Sequence, residues 1–349
     1  MTRQAVSRRR VLAAGAGALL GGVVTTVGVA AAAAPIASAP PLTRPKPIPG
    51  WTNLTTAVRP PARLEPTLTY MPSVHALLLF GGRRTDAFND TWTYSLVSNQ
   101  WAQLAINAPR ARWSHVAAWH PDARRVLVHG GRHDHGFWDD TWAFDPAANA
   151  WSRVLTGAGG PLGRGGHGTA ITPAGDFHIS HGFASDRYFD DTWVLRDSAW
   201  SDVSPAVRPR GRALHQCVWD AVRSRLLLLF GTSEGALYHN DTWAFDPGQG
   251  RWSQLTTGPR PPGRQMHAAV FEPLRGVAVV LGGKVQNVNV TDAWTLDRDD
   301  RWTNVSPIPG LSPRFGHAAT VDPATGLIYL FGGETGFGPM SELWQLRLP

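Results

Sequence analysis

The chain has 349 residues, among them 37 Gly, 28 Pro, 16 Trp and one cysteine, Cys217, which excludes an intrachain disulfide and a Cys₂His₂ or Cys₄ zinc site. Its formal charge of +7 includes Arg3, Arg8, Arg9 and Arg10, with no acid before residue 40. The rest carries only about +3, spread evenly, which argues against a nucleic-acid-binding stripe. Abundant Gly, Pro and aromatics, with no run of strong helix formers after residue 40, predict an all-β protein rich in turns.

Ser7-Arg8-Arg9-Arg10-Val11-Leu12, followed by a weakly hydrophobic Ala/Gly/Val stretch, resembles a twin-arginine export signal. Residues 1–34 are expected to be that signal, cut after Ala31-Ala32-Ala33 or nearby. Residues 11–34 are just long enough to span a bilayer, so an uncleaved anchor is the alternative, weakened by their Gly and Ala content. No cysteine lies close enough for lipid anchoring. The expectation is a protein delivered folded to the cell envelope or beyond, with no stable membrane span after cleavage. Residues 35–50 (PIASAPPLTRPKPIPG) read as an extended Pro-rich linker.

From residue 51 the chain repeats with a period near 50. One Trp series runs Trp51, Trp101, Trp151, Trp200, Trp252, Trp302, and a second Trp92, Trp142, Trp193, Trp243, Trp294, Trp344. Such a period means modules that cannot bury their faces alone. Each unit carries four strand signals: an Arg-x-x-His start (RWSHVAAW, RALHQCVW, RQMHAAVF, RFGHAATV), then an apolar run ending in Gly-Gly (ALLLFGG, RVLVHGG, VAVVLGG, IYLFGG). Third comes a Trp-bearing strand such as DDTWAFDP, and fourth a strand opened by the next Trp. The chain begins this pattern at Trp51-Thr52-Asn53-Leu54, a fourth strand, and ends it at Leu343-Trp344-Gln345-Leu346, a third. Residues 51–54 are therefore expected to complete the last blade and close a ring over 51–349.

These residues resemble the Kelch repeat, and six in-phase copies imply a six-bladed Kelch-type β-propeller like the central domain of galactose oxidase. Because the chain reverses at each turn, the Arg-x-x-His starts and the loops after Gly-Gly share one face of the disc, called here the upper face. Arg63, Arg112, Arg164, Arg212, Arg264 and Arg314 stand opposite Asp90, Asp140, Asp191, Asp241, Asp292 and Glu342. The two series read either as ion pairs or, for the Arg, as a ring around an anionic ligand. The recurring His115, His167, His215, His267 and His317, replaced by Pro66 in blade one, are expected to bond a neighbouring backbone.

Function is sought where the repeats disagree. His129 and Ser180 replace the apolar residue before Gly-Gly that reads as Phe80, Phe230, Leu281 and Phe331 elsewhere; His178 and His181 also break the pattern. The blade-two loop adds His133, Asp134 and His135. Three readings follow. The first is an exported, non-catalytic module that binds a protein or glycan through Arg112, Arg164, Arg212, Arg264, Arg314, His133, His135, His181, Tyr188, Tyr238 and His239. The second, from resemblance to exported sugar mutarotases of this architecture, is an isomerase on an acidic sugar with Glu234 as acid/base. The third is a metal-dependent enzyme using His129, His133, His135 and His181. The first leads, with no cofactor, no nucleic acid and a monomer expected; no nucleophile elbow or phosphate loop is present.

Overall fold

The computed structural model describes residues 49–349; the export motif and nearly all of the linker lie outside the described residues. The described chain forms six four-stranded antiparallel sheets, each running from an inner first strand to an outer fourth. Blade two shows the plan: Val116–His120, Arg125–His129, Thr141–Asp145 and Ala150–Val154, paired in that order. The six first strands begin at Thr67, Val116, Gly168, Gln216, Ala268 and Phe315, and each neighbours the first strand on either side, so together they wall a central channel. The arrangement is a six-bladed propeller, as the repeat predicts.

Ring closure follows the predicted phase. Gly50–Asn53 pairs antiparallel with Leu343–Arg347, setting Trp51 opposite Leu346, and the Leu54 N–H reaches the Leu343 carbonyl at 2.8 Å. The closing strand starts at Gly50, one residue earlier than the sequence placed it. Six apolar clusters fill the six seams between blades. At the closing seam Tyr94, Leu79 and Trp101 of blade one meet Phe331 and Leu343 of blade six. The second strands are buried on both faces, as an apolar run such as Ala76–Phe80 demands.

The Gly-Gly motif has a positional cause. The second Gly (Gly82, Gly131, Gly182, Gly231, Gly283, Gly333) has φ between 85° and 102°, and its N–H donates to the carbonyl of the next blade's signature Arg at 2.8–3.0 Å. A Cβ on Gly131 would stand 2.7 Å from the His115 Cβ and 2.9 Å from the Trp113 carbonyl, so only Gly fits. The first position is freer. It holds Gly81, Gly130, Gly282 and Gly332, but His181 in blade three and Phe230 in blade four, all with φ of 56–71°. This corrects the repeat alignment: Phe230 replaces the first Gly, and Leu229, not Phe230, ends the strand where Phe80 does.

Candidate functional site

Around the channel mouth lie Glu65, Ser114, Gly166, Leu214, Met266 and Gly316, each at the entrance to a first strand and each left-handed, with φ of 52–65°. The N–H of each donates to the carbonyl of its neighbour at 2.7–3.3 Å, and Glu65 donates to Gly316, closing a cycle of six backbone hydrogen bonds. Four of the six are not glycine, so this hoop holds strained backbone. Beneath it lies a channel cavity of about 150 Å³ lined by His115, His167, His215, His267 and His317.

The signature arginines do not face that cavity as a ligand ring. Arg112, Arg164, Arg212, Arg264 and Arg314, like Arg63, are at most 1% exposed, and each is held within its own blade. In blade two the Arg112 Nε–H donates to the Arg110 carbonyl and Nη1 to Gly130 and Asp140 Oδ1; Nη2 donates to Asp140 Oδ2 at 3.1 Å. All six repeats copy this clamp, except that Glu342 accepts only one bond from Arg314, at 3.0 Å. The acid also accepts from the indole of the second Trp series in every blade, at 2.7–2.9 Å. Burial alone would raise the Asp140 carboxyl, but the hydrogen bonds and charge of Arg112 override it and hold the group below its ordinary range. The ion-pair reading is thus the one the geometry bears, and the open anion ring is corrected.

The histidines divide in the same way. His317 finds a backbone, with Nε2 3.2 Å from the Leu281 carbonyl, while His115 Nε2 meets the Thr67 hydroxyl at 3.0 Å. Neither ring nitrogen of His167 or His267 has a protein partner, and the Ser180 backbone is the sole hydrogen-bonding group near the His215 ring. Burial drives all five well below the ordinary imidazole value, to about 3 for His317.

His129 and His181 are interior packing residues. His129 packs tilted against Trp200 with ring centroids 4.9 Å apart, as Phe80 packs against Trp151 at 4.9 Å, and its Nδ1 lies 3.0 Å from the Thr141 hydroxyl. His181, 6.2 Å from Trp252, and Phe230, 5.4 Å from Trp302, supply from the first-Gly position the ring that Ser180 and Leu229 do not. Burial lowers both His129 and His181 to about 3. His133 instead lies on the upper face, its ring 4.3 Å from Trp138, and His135 is exposed at the loop tip. Among the described residues no group of three or more His, Cys, Asp or Glu side chains is arranged to hold a metal.

What remains unrepeated is the set of six hairpins between second and third strands. The first residue of each pairs with the residue after the signature Arg: Leu64 with Arg83, Trp113 with Arg132, Gly165 with Phe183, Ala213 with Thr232, Gln265 with Lys284 and Phe315 with Glu334. These positions rim the hoop. Glu65 is held by Arg83 at 3.4 Å and by the Ser114 hydroxyl. Arg132 sits among three rings, 5.3 Å from Trp113, 5.6 Å from Phe137 and 5.2 Å from Phe183, and Lys284 Nζ is 3.8 Å over Phe315. Tyr238 donates to Asn287 Oδ1 at 2.8 Å and accepts from Gln265, joining the hairpins of blades four and five. His239 Nε2 meets the Ser233 hydroxyl at 3.0 Å, with burial lowering its pKa to about 4. Tyr188 is exposed beside Phe183, and Glu234 is exposed on a short 3₁₀ turn, Glu234–Ala236, at the blade-four tip. The Arg132 cage and the Glu65–Arg83–Ser114 group are features the repeat reading missed; the bridge register that reveals them is invisible in linear spacing.

The family model describing the KLHDC2/KLHL20/DRC7 Kelch-repeats domain matches residues 50–228 and again 200–333. A curated relative, "Tip elongation aberrant protein 1" of Schizosaccharomyces pombe, is 27% identical over 221 residues, covering 57% of this chain and 18% of that protein. The chain thus spans less than a fifth of that relative's length. Among the described residues no helix is long and apolar enough to cross a membrane.

Proposed function

Since the chain belongs to the Kelch-repeat family, whose propellers are typically protein-interaction modules, we propose that it binds a protein partner through the six hairpins of its upper face. One observation carries this reading. The polar groups that recur in every blade, the signature Arg, the acid and the indole N–H, are consumed by one another. The upper-face hairpins differ from blade to blade and present side chains such as Arg84, His135, Tyr188, Leu237, Val288 and Phe337 to solvent. Loops raised on a rigid disc supply varied contacts at little cost in ordering.

Export belongs to the same proposal. The motif at Arg8-Arg9 would deliver the folded ring across the membrane, which suits a chain with one buried cysteine and no disulfide to form. Two measurements test the pair. Replacing Glu234–Leu237 and Gln286–Val288 by Gly-Ser segments should abolish co-purification of envelope proteins, whereas serine substitutions on the outer strand Ala150–Val154 should leave it intact. Equal loss from both variants would sink the upper-face assignment. Arg8→Lys with Arg9→Lys should retain the precursor in the cytoplasm; unchanged export would remove the twin-arginine part.

A further inference from the structure

The upper face is not uniform, and its asymmetry points to one kind of partner. Four successive hairpins, those of blades three to six, raise an apolar side chain into solvent. Tyr188 is 38% exposed, Leu237 47%, Val288 63%, and Phe337 is fully exposed. The tips of blades one and two carry instead Arg84-Thr85-Asp86 and Asp134-His135. Solitary exposed apolar residues are ordinary, but four on the hairpins of successive blades around one mouth form an arc that a partner can desolvate.

Beside this arc stands Arg132. Its guanidinium makes no ion pair among the described residues, and its Nε is buried without a partner. Trp113, Phe137 and Phe183 take the place that an acid takes for the signature arginines. Ring faces attract the cation and strip part of its water while leaving its N–H edge unused. The acids of the neighbouring hairpins, Asp86, Asp134 and Asp186, stand at exposed tips and form no ion pair with it. Of the six rim positions only that of blade six is acidic, at Glu334. A planar fork held against aromatic rings matches a carboxylate, which it can bind through two parallel hydrogen bonds.

We propose that the upper face takes an amphipathic protein segment, with an acidic side chain seated on Arg132 in its aromatic cage and bulky apolar side chains laid over Leu237, Val288 and Phe337. This rests on the protein-binding reading above and adds its polarity. A glycan would supply the carboxylate but not the apolar surface that the arc requires.

The test is selection from a random twelve-residue peptide display library on the full chain at low salt. Selected peptides should be enriched in Asp or Glu together with Phe, Leu, Ile or Trp. Arg132→Gln should weaken their binding at least ten-fold, Arg132→Lys less, and Phe337→Ser with Val288→Ser at least ten-fold. Arg153→Gln, an exposed outer-strand change, should leave it unaltered, and all variants should keep the wild-type melting temperature. Peptides that are blocked by the upper-face variants but lack the acidic and apolar bias overturn this inference and keep the protein-binding reading. Peptides indifferent to every upper-face variant, with uronic or sialic oligosaccharides raising the melting temperature, overturn both.

Discussion

His129 Nδ1 and the Thr141 hydroxyl lie 3.0 Å apart, at the one seam where such a threonine meets a histidine in place of the next blade's indole. In three other seams this threonine accepts from the next blade's indole: Thr91 from Trp151, Thr192 from Trp252 and Thr242 from Trp302, at 3.0–3.2 Å. At the seam between blades two and three, Thr141 is engaged by His129 and the Trp200 Nε1–H stays buried and unbonded. His129→Phe reproduces the blade-one arrangement, in which Phe80 packs on Trp151 and Thr91 accepts from the Trp151 indole. It should stabilise the ring by about 1 kcal/mol at neutral pH and by more at pH 5. Thermal melts at the two pH values check this; a lower melting temperature in both would contradict it.

Acid should loosen the propeller before its carboxylates titrate. Seven imidazoles (His115, His129, His167, His181, His215, His267, His317) are fully buried and, for that reason first, carry lowered pKa values. In the unfolded chain they bind protons near pH 6.5, while the folded ring keeps them neutral. Stability is therefore complete above about pH 6.5. Below it each group removes up to about 1.4 kcal/mol per pH unit. The urea midpoint should be flat above pH 7 and fall steeply between pH 6.5 and 5. A midpoint unchanged down to pH 4.5 would show that the imidazoles are hydrated or exposed.

Breaking one clamp should cost more than removing it. Arg212→Met leaves a half-buried Asp241 carboxylate with only the Trp243 indole, a loss of about 3 kcal/mol; adding Asp241→Leu should recover more than half. Arg314→Met should cost less than Arg212→Met, because Glu342 receives one bond where Asp241 receives two. Unfolding free energies from denaturant titration decide both comparisons, and equal losses at the two sites would refute the second.

Two glycines should respond oppositely to the same methyl group. Gly131→Ala drives a Cβ to 2.7 Å from the His115 Cβ at a φ of 102°, and should cost at least about 2 kcal/mol. Gly157 has no atom within 4 Å of that position and no left-handed φ, so Gly157→Ala should be neutral or stabilise by up to about 1 kcal/mol. Circular dichroism melts of the two proteins are sufficient.

The division between what was legible in the chain and what was not follows from the reach of each interaction. Strand content, six blades and closure by the first strand were written in the linear pattern. Trp51 and Trp344 keep the same phase as their ten counterparts, and a repeat can bury its faces only against copies of itself. Pairing of Arg112 with Asp140 was legible as one of two readings, because a spacing of 28 residues states opposition but not burial. The hairpin register was not legible. Phe230 and Leu229 are both apolar, and only the backbone, left-handed at Phe230, decides which ends the strand. His129 and His181 looked like chemistry because they break the repeat where other blades carry an apolar residue or glycine. The structure makes them packing, since each fills the socket of the next blade's Trp and burial keeps it neutral. The Arg132 cage draws Trp113, Phe137 and Phe183 from parts of two blades that no local spacing joins. The sequence alone thus determined the ring, because periodic burial is a local demand repeated six times. The tertiary structure alone decided which polar groups the ring consumes and which it leaves for a partner, because that depends on contacts between blades.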